Sequence, residues 1–511
     1  MAIDVLSSMA EKHEPVPTLL NVLDAGQEHD LALVVPGGIR LTYRQLREQV
    51  WRGAQALAAR GVRRGDRVAL VYPNSAEAIV LFLAAATAGT AAPLNPGYKQ
   101  EEFRFYLEDT HARVLMVPPG QAAAARQALP EGGSVVECAF DETGVLGFPD
   151  GSPGDGSAVE PPGEDDVALV LHTSGTTSRP KMVPLRHRNL AASVANIIPS
   201  YGLTSADVAL CVMPLFHVHG LVASTLSTLG SGGTVVVPPR FSPFEFWGLV
   251  RDHGVSWYSA VPTIHQMLAG RSGRPRPDGV DSLRFARSCS SALSPELMAR
   301  LEELLGVPVL EAYGMTEASH QMASNPLPPA ARRPGSVGIG TGVGIAILDE
   351  HGVPQAPGTA GEVAVRGPNV MDGYEANPTA NAEAFADGWF RTGDEGTVDA
   401  DGYLTLRGRI KELINRGGEK IAPREIDEVL LRHPAVAEAV TFGVPHPSWG
   451  EEVAAAVVLT GEVGKRELTD FCREHLADFK VPRQLFFVTE IPRTATGKVQ
   501  RRHVAAAFAE G

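Results

Sequence analysis

The chain reads as an α/β protein with a large N-terminal domain of mostly parallel sheets covered by helices, followed by a small α+β C-terminal domain. Three observations predict this. Its 511 residues exceed what one apolar core usually supports. Apolar runs of strand length alternate with helical periodicity over the first 400 residues, the pattern of crossover-connected sheets. Near Gly408-Arg409-Ile410-Lys411 the pattern changes, and the remainder is long enough for a separate small domain, which puts the division at 1–408 and 409–511.

Taken in order, Thr42 and Gln45 form a capping box ahead of Tyr43–Arg60, where Leu46, Val50, Ala54, Leu57 and Ala58 recur at helical spacing until Gly61. Val68–Tyr72 reads as a buried strand, and Ser75 caps a helix reaching Ala88. The Gly-, Pro-, Ser- and acid-rich stretch 148–166 predicts a solvated connection. Val167–Leu171 then resumes as a strand, and Val307–Leu310 as a short one. Past residue 408, Pro423–Leu431 and Lys465–Ala477 read as helices, and Val436–Phe442, Val453–Leu459 and Gln484–Val488 as strands.

A formal charge of −14 argues against a nucleic-acid surface, which normally shows a basic stripe. The longest apolar stretch, Ala76–Leu94, contains Glu77, Thr87 and Gly89 and falls short of a membrane span. No basic-then-apolar leader pattern opens the chain. Cys138, Cys211, Cys289 and Cys472 stand singly, without the pairs a zinc site needs, so a reduced cytoplasmic protein is expected.

Four segments carry chemistry. TSGTTSRPKMVP (173–184) follows an apolar strand. Its backbone N–H groups and the hydroxyls of Thr173, Ser174, Thr176 and Thr177, with Gly175 between them, suit phosphate oxygens, and Lys181 supplies a cation. It is not a Walker loop, because Pro180 stands where that motif needs glycine. In EAYGMTEASH (311–320), Glu317 suits Mg²⁺, which takes one or two carboxylates plus phosphate oxygens. In WFRTGDEG onward from 389, Asp394 offers paired acceptors for two ribose hydroxyls, and Arg409 a second contact. PRTATGKVQRR (492–502) presents Lys498 near the C-terminus. Each segment alone is equally a polar loop, a turn or a solvated chain end.

In this order and at these separations the four segments resemble the AMP-binding, adenylate-forming superfamily of acyl-CoA synthetases, carrier-protein adenylation domains and luciferases, from about residue 30 to 505. LHTSGTTSRPK, MPLFHVHGL, TEASHQMASNPLPP, GRIKELINRGGEK and GKVQRR resemble more narrowly its oxalate–CoA ligase branch. The resemblance implies ATP, Mg²⁺ and coenzyme A, with adenylation of a small carboxylic acid and transfer of the acyl group to the thiol. It implies that Thr173–Lys181 faces pyrophosphate, that Thr316 and Glu317 meet the α-phosphate and magnesium, and that Ser291, Ala292, Leu293, Ala312 and Tyr313 frame the adenine. Asp394 and Arg409 would hold the ribose, and Lys411 would be the hinge of a mobile C-terminal domain carrying the catalytic Lys498. Gly417 and Gly418 would line a thiol-entry tunnel, where missing side chains admit a pantetheine arm. His217, Ser291 and His320, with Val261–His265 as another wall, would form an acid pocket suited to a second polar or anionic group.

One departure stands out: Met182 follows the loop lysine where the superfamily commonly has glycine. Two other readings fit. One is a secondary-metabolism adenylating enzyme whose second nucleophile is a carrier-protein thiol or an amine, or a diazotase-like enzyme that activates nitrite. The other is a non-catalytic binding module. Intact Lys498, Lys181, Glu317 and Asp394 count against the last, and Arg416-Gly417-Gly418 favours CoA. The expected partners are a small acid, ATP and CoA, with no nucleic acid and no membrane; the residues select no oligomeric state.

Overall fold

The computed structural model describes residues 18–148, 158–173, 180–270, 281–493 and 499–508. The Thr42 capping box closes as expected, the Gln45 side chain accepting from Thr42 N–H at 2.9 Å and Thr42 Oγ1 accepting from Gln45 N–H at 3.3 Å. The helix it starts, Tyr43–Ala59, packs on Ala76–Ala88, which Ser75 caps. Gly53 allows the close crossing: a Cβ there would lie 2.8 Å from the Cβ of Ala84. Ala76–Ala88 is buried almost all round because it is enclosed in the main apolar core.

Two large sheets flank that core. The six-stranded sheet runs Lys181–Arg186, Val167–Thr173, Thr90–Pro93, Arg67–Leu70, Ala112–Val117, Ser134–Glu137, parallel except where Lys181–Arg186 turns back on Val167–Thr173. The nine-stranded sheet has a parallel centre, in order Val309–Met315, Phe285–Ser288, Trp257–Ala260, Val208–Leu210, Thr234–Val236 and Leu31–Val34, with antiparallel strands at each edge. The expected mostly parallel, helix-covered architecture is therefore present, but alternation does not run to residue 400. From Gly344 to Arg409 the chain forms a five-stranded antiparallel sheet. Its strands are joined mostly by Gly- and Pro-containing turns, with only the seven-residue helix Pro378–Ala384 between them, so the crossover pattern stops.

The C-terminal region builds its own five-stranded sheet from Ile414–Arg416, Glu419–Ile421, Val436–His446, Gly450–Leu459 and Gln484–Val488. Pro423–Leu431 and Lys465–His475 cover one face and Arg501–Phe508 the other, each with a separate apolar core. The helices and strands expected here all form, Val436–His446 running longer than expected. No helix among the described residues is long and apolar enough to cross a membrane. All four cysteines are buried and free.

Candidate active site

The antiparallel ladder of Trp389–Val398 with Leu404–Arg409 sets Asp394 opposite Arg409. Their side chains pair at 2.8 Å, and Arg409 also donates to the Thr392 carbonyl at 3.1 Å. The other Asp394 oxygen accepts the hydroxyl of Tyr313, from the end of Val309–Met315. Burial by itself would lower the Arg409 pKa, but Asp394, with Tyr313 and Glu317, outweighs it and holds the guanidinium charged. Burial and then the Asp394 charge push the Tyr313 hydroxyl well above its ordinary value, so it remains a donor.

Beyond Tyr313 the chain makes a short 3₁₀ turn, Thr316–Ala318, which buries Glu317 to 6 % exposure. Tyr374 donates to the Glu317 carboxylate at 2.9 Å, and Lys181 Nζ lies 4.6 Å from the centre of the Tyr374 ring. The loop lysine and the acidic residue are thus joined through one aromatic ring. Met182 keeps its backbone in this assembly: its carbonyl accepts from Glu375 N–H at 3.1 Å, and Glu375 is paired with Arg67 at 2.8 Å.

A second cluster lies behind the first. Arg287, on the fully buried strand Phe285–Ser288, has no exposure, and it meets neutral side chains from several elements. It donates to Tyr201 at 2.7 Å, Ser259 at 2.8 Å and Gln321 at 3.0 Å, and lies 3.4 Å from both His219 Nε2 and His320 Nδ1. His219 begins a π-helical stretch, His219–Leu226, of the kind that often marks functional sites. Burial first, and then the Arg287 charge, lower both histidines well below the ordinary value, so both are neutral. Backbone strain gathers here: Ser290, Ser319 and His320 have φ of 72°, 51° and 102°. Gly314 makes the fold possible, because a Cβ there would fall 2.0 Å from the His320 carbonyl oxygen.

Paired acidic and basic side chains thus stand ahead of a buried polar cluster. The model of the AMP-binding enzymes matches residues 23–375, and that of their C-terminal domain matches 425–498. The chain belongs to this family. An oxalate–CoA ligase of Arabidopsis thaliana is 48% identical to the AMP-binding enzyme described here, over 94% of this chain and 96% of its own length. A sulfoacetate–CoA ligase of Cupriavidus necator is 40% identical over 91% and 92%. Among solved structures, ATP-bound MatB from Rhodopseudomonas palustris superposes with a TM-score of 0.89 at 32% identity, covering 97% of this chain and 99% of that one. The same protein without nucleotide gives 0.79 at equal identity and coverage.

The AMP-binding enzyme brings Ala312, Tyr313, Thr316, Glu317, Lys181, Asp394 and Arg409 together. Thr173 faces Lys181 across the ladder. Ser174, Gly175, Thr176, Thr177 and Lys498 lie outside the described residues. The flanks of the Lys498 segment are described: Arg493 bridges to Val499 and donates to Thr263 of the large domain at 2.9 Å. Ser291 and Ala292 are exposed ahead of buried Leu293, and it is Ser290, 3.0 Å from His219, that joins the histidine group. His217 Nδ1 accepts from His219 N–H at 3.2 Å, and His320 shares the cluster. Lys411 sits exposed in a short turn directly after Arg409. Gly417 and Gly418 form an exposed hairpin turn on the small sheet, with φ of 62° and 95°, the former against Trp449. Sequence reasoning missed Arg287, Tyr374 and Ser290; Arg287 follows a stretch, Leu283–Ala286, that already carries Arg284, so no local pattern sets it apart.

Proposed function

We propose that this protein is an AMP-forming acid–CoA ligase that adenylates a small carboxylic acid bearing a second anionic group, oxalate being the leading candidate. The observation that carries the reading is the joined array Asp394–Arg409–Tyr313 and Glu317–Tyr374–Lys181. It supplies paired acceptors for ribose and a lysine and a carboxylate for phosphates in one place. The buried, histidine-containing polar cluster behind it is chemically suited to a short polar acid, and the relatives named for oxalate and sulfoacetate fit the same chemistry.

A carboxylate resists nucleophilic attack at neutral pH, so one of its oxygens must become part of a leaving group. The acid attacks the α-phosphorus of ATP, pyrophosphate departs, and AMP becomes that leaving group. Charge builds on the phosphoryl oxygens, and Lys181 and Lys498 offset it. Asp394 and Arg409 fix the ribose so that the α-phosphorus stays in line. Glu317 would hold Mg²⁺: it is a single buried carboxylate, no group of three or more such ligands is present among the described residues, and this ion commonly takes one or two carboxylates plus phosphate oxygens. Bound there, magnesium would add Lewis-acid stabilisation of the same charge.

For the second step the domain boundary at 408/409 and the hinge at Lys411 would let the small domain rotate, withdrawing Lys498 and presenting Gly417–Gly418 for thiol entry. The higher likeness to the ATP-bound than to the nucleotide-free relative fits the adenylation arrangement. A cytoplasmic location is supported by four unpaired thiols. The deciding measurement is pyrophosphate release across small mono- and dicarboxylates, amines and nitrite, with and without CoA. We expect release with a two-carbon acid carrying a second anion, and acyl-CoA only when CoA is present. Release that ignores CoA and demands an amine, or that occurs with nitrite alone, would overturn the proposal.

A further inference from the structure

Arg287 has its five N–H groups spread over an oxygen or nitrogen from Tyr201, Ser259, Gln321, His219 and His320, none of them charged. A guanidinium has donors and no acceptor, so every neighbour must turn a lone pair toward it. Ser259 Oγ accepts from Arg287 and therefore sends its own proton 2.7 Å to His219 Nε2. With Nε2 an acceptor, the neutral His219 carries its proton on Nδ1, which donates to Ser290 Oγ at 3.0 Å. The Ser290 hydroxyl is then free to donate onward. On the other branch, Arg287 faces His320 Nδ1 at 3.4 Å, so the His320 proton resides on Nε2.

We infer that Arg287 is a positioning residue that orients a one-way hydrogen-bond relay, through Ser259 and His219 to Ser290 and directly to His320, so that both ends offer donors to the distal anionic group of the acid. This rests on the proposed small-acid ligase reading and deepens it. The guanidinium never touches the acid. Its charge decides the direction of every hydrogen bond between itself and the pocket, which makes the pocket select acceptors without a histidine having to be protonated. A separate observation marks both ends: Ser290 and His320 are non-glycine residues held at φ of 72° and 102°, a cost the fold accepts only where surrounding contacts dictate it.

The test compares R287Q and S259A with wild type in pyrophosphate release, using oxalate, a monocarboxylate of equal carbon number such as acetate, and varied ATP. S259A removes the shorter of the two links from Arg287 to His219 with little change in volume, leaving the 3.4 Å contacts to His219 and His320, and keeps the test intact where R287Q does not fold. The expected result for both variants is a KM for oxalate raised about tenfold or more, as when a charge-assisted hydrogen bond is lost. KM for ATP and kcat at saturating oxalate stay within about threefold, the size of a weak contact, so the preference for oxalate over acetate shrinks. Equal loss on oxalate, acetate and ATP, or an unchanged KM for oxalate in S259A, would overturn the relay while leaving the ligase reading in place. A wild-type enzyme that releases pyrophosphate with no small acid overturns the ligase reading, and the relay with it.

Discussion

At Gly314 a missing side chain governs how closely the chain can approach the His320 backbone. The strands Val309–Met315 and His320–Ser324 cross so closely that a Cβ at 314 would meet the His320 carbonyl oxygen at 2.0 Å and its carbon at 2.7 Å. Both are backbone atoms, so the strain cannot be relieved by a rotamer change. We expect Gly314→Ala to cost about 1–3 kcal/mol of stability, the usual range for overpacking. Because the atom displaced belongs to His320, KM for the acid should rise more than KM for ATP; a thermal melt and steady-state kinetics check both. Tyr313-Gly314-Met315, which taken alone would suit a turn, is the end of a strand. Residue chemistry was otherwise legible where local pattern and donor type coincide, as for Asp394 and Arg409. Arg287 was not, because its partners come from residues 201, 219, 259, 320 and 321, and no local spacing encodes such a meeting.

Among the elements, the strand Val309–Met315 carries a titratable group where strands rarely do. Glu311 is 3 % exposed and accepts from Gly335 N–H at 2.9 Å. Burial raises its pKa from 4.5 to about 7, with the Gly335 and Leu293 N–H groups and Arg424 of the small domain pulling the other way. The folded state therefore holds a proton that the unfolded chain releases near pH 4.5. The stabilisation is complete below 4.5 and is lost as pH climbs through about 7. Glu311→Gln keeps an acceptor oxygen without the charge. We expect it to match wild type near pH 4.5 and to exceed it at pH 8 by up to ~3 kcal/mol, from the size of the shift. Urea unfolding at the two pH values measures this, and a gap that does not widen with pH would contradict the argument. Elements with strong caps, such as Tyr43–Ala59 and Ala76–Ala88, were readable from sequence because Thr42, Gln45 and Ser75 satisfy the first-turn N–H groups locally. The antiparallel sheet of 344–409 was not, since its pairing depends on short strands meeting across turns.

For the whole molecule the question is which lobe supplies what, and when. The two-domain division showed in the sequence as a change of pattern, but the arrangement of the lobes depends on scattered contacts that no pattern announces. Arg424 of the small domain donates to the Leu406 carbonyl at 3.0 Å, and Arg493 reaches Thr263 at 2.9 Å. The second contact ties Arg493, ahead of Lys498 in the chain, to the helix Pro262–Ala269. Such an attachment suits the step in which charge builds at phosphorus. It suits the next step poorly, because thioester formation attacks a carbonyl and gains nothing from a cation held at phosphorus. Both steps are served if Lys498 acts in the first alone and leaves before the second. Lys498→Ala should then lose adenylation by ~10² to 10³, the usual effect of removing one transition-state charge partner. It should retain close to wild-type formation of acyl-CoA from a supplied acyl-adenylate, because its amine has no part in carbonyl attack. Measuring the two half-reactions separately distinguishes this from a lysine that merely holds the domain in place: a purely structural role would depress both halves together, and the rotating-lobe account would have to be abandoned.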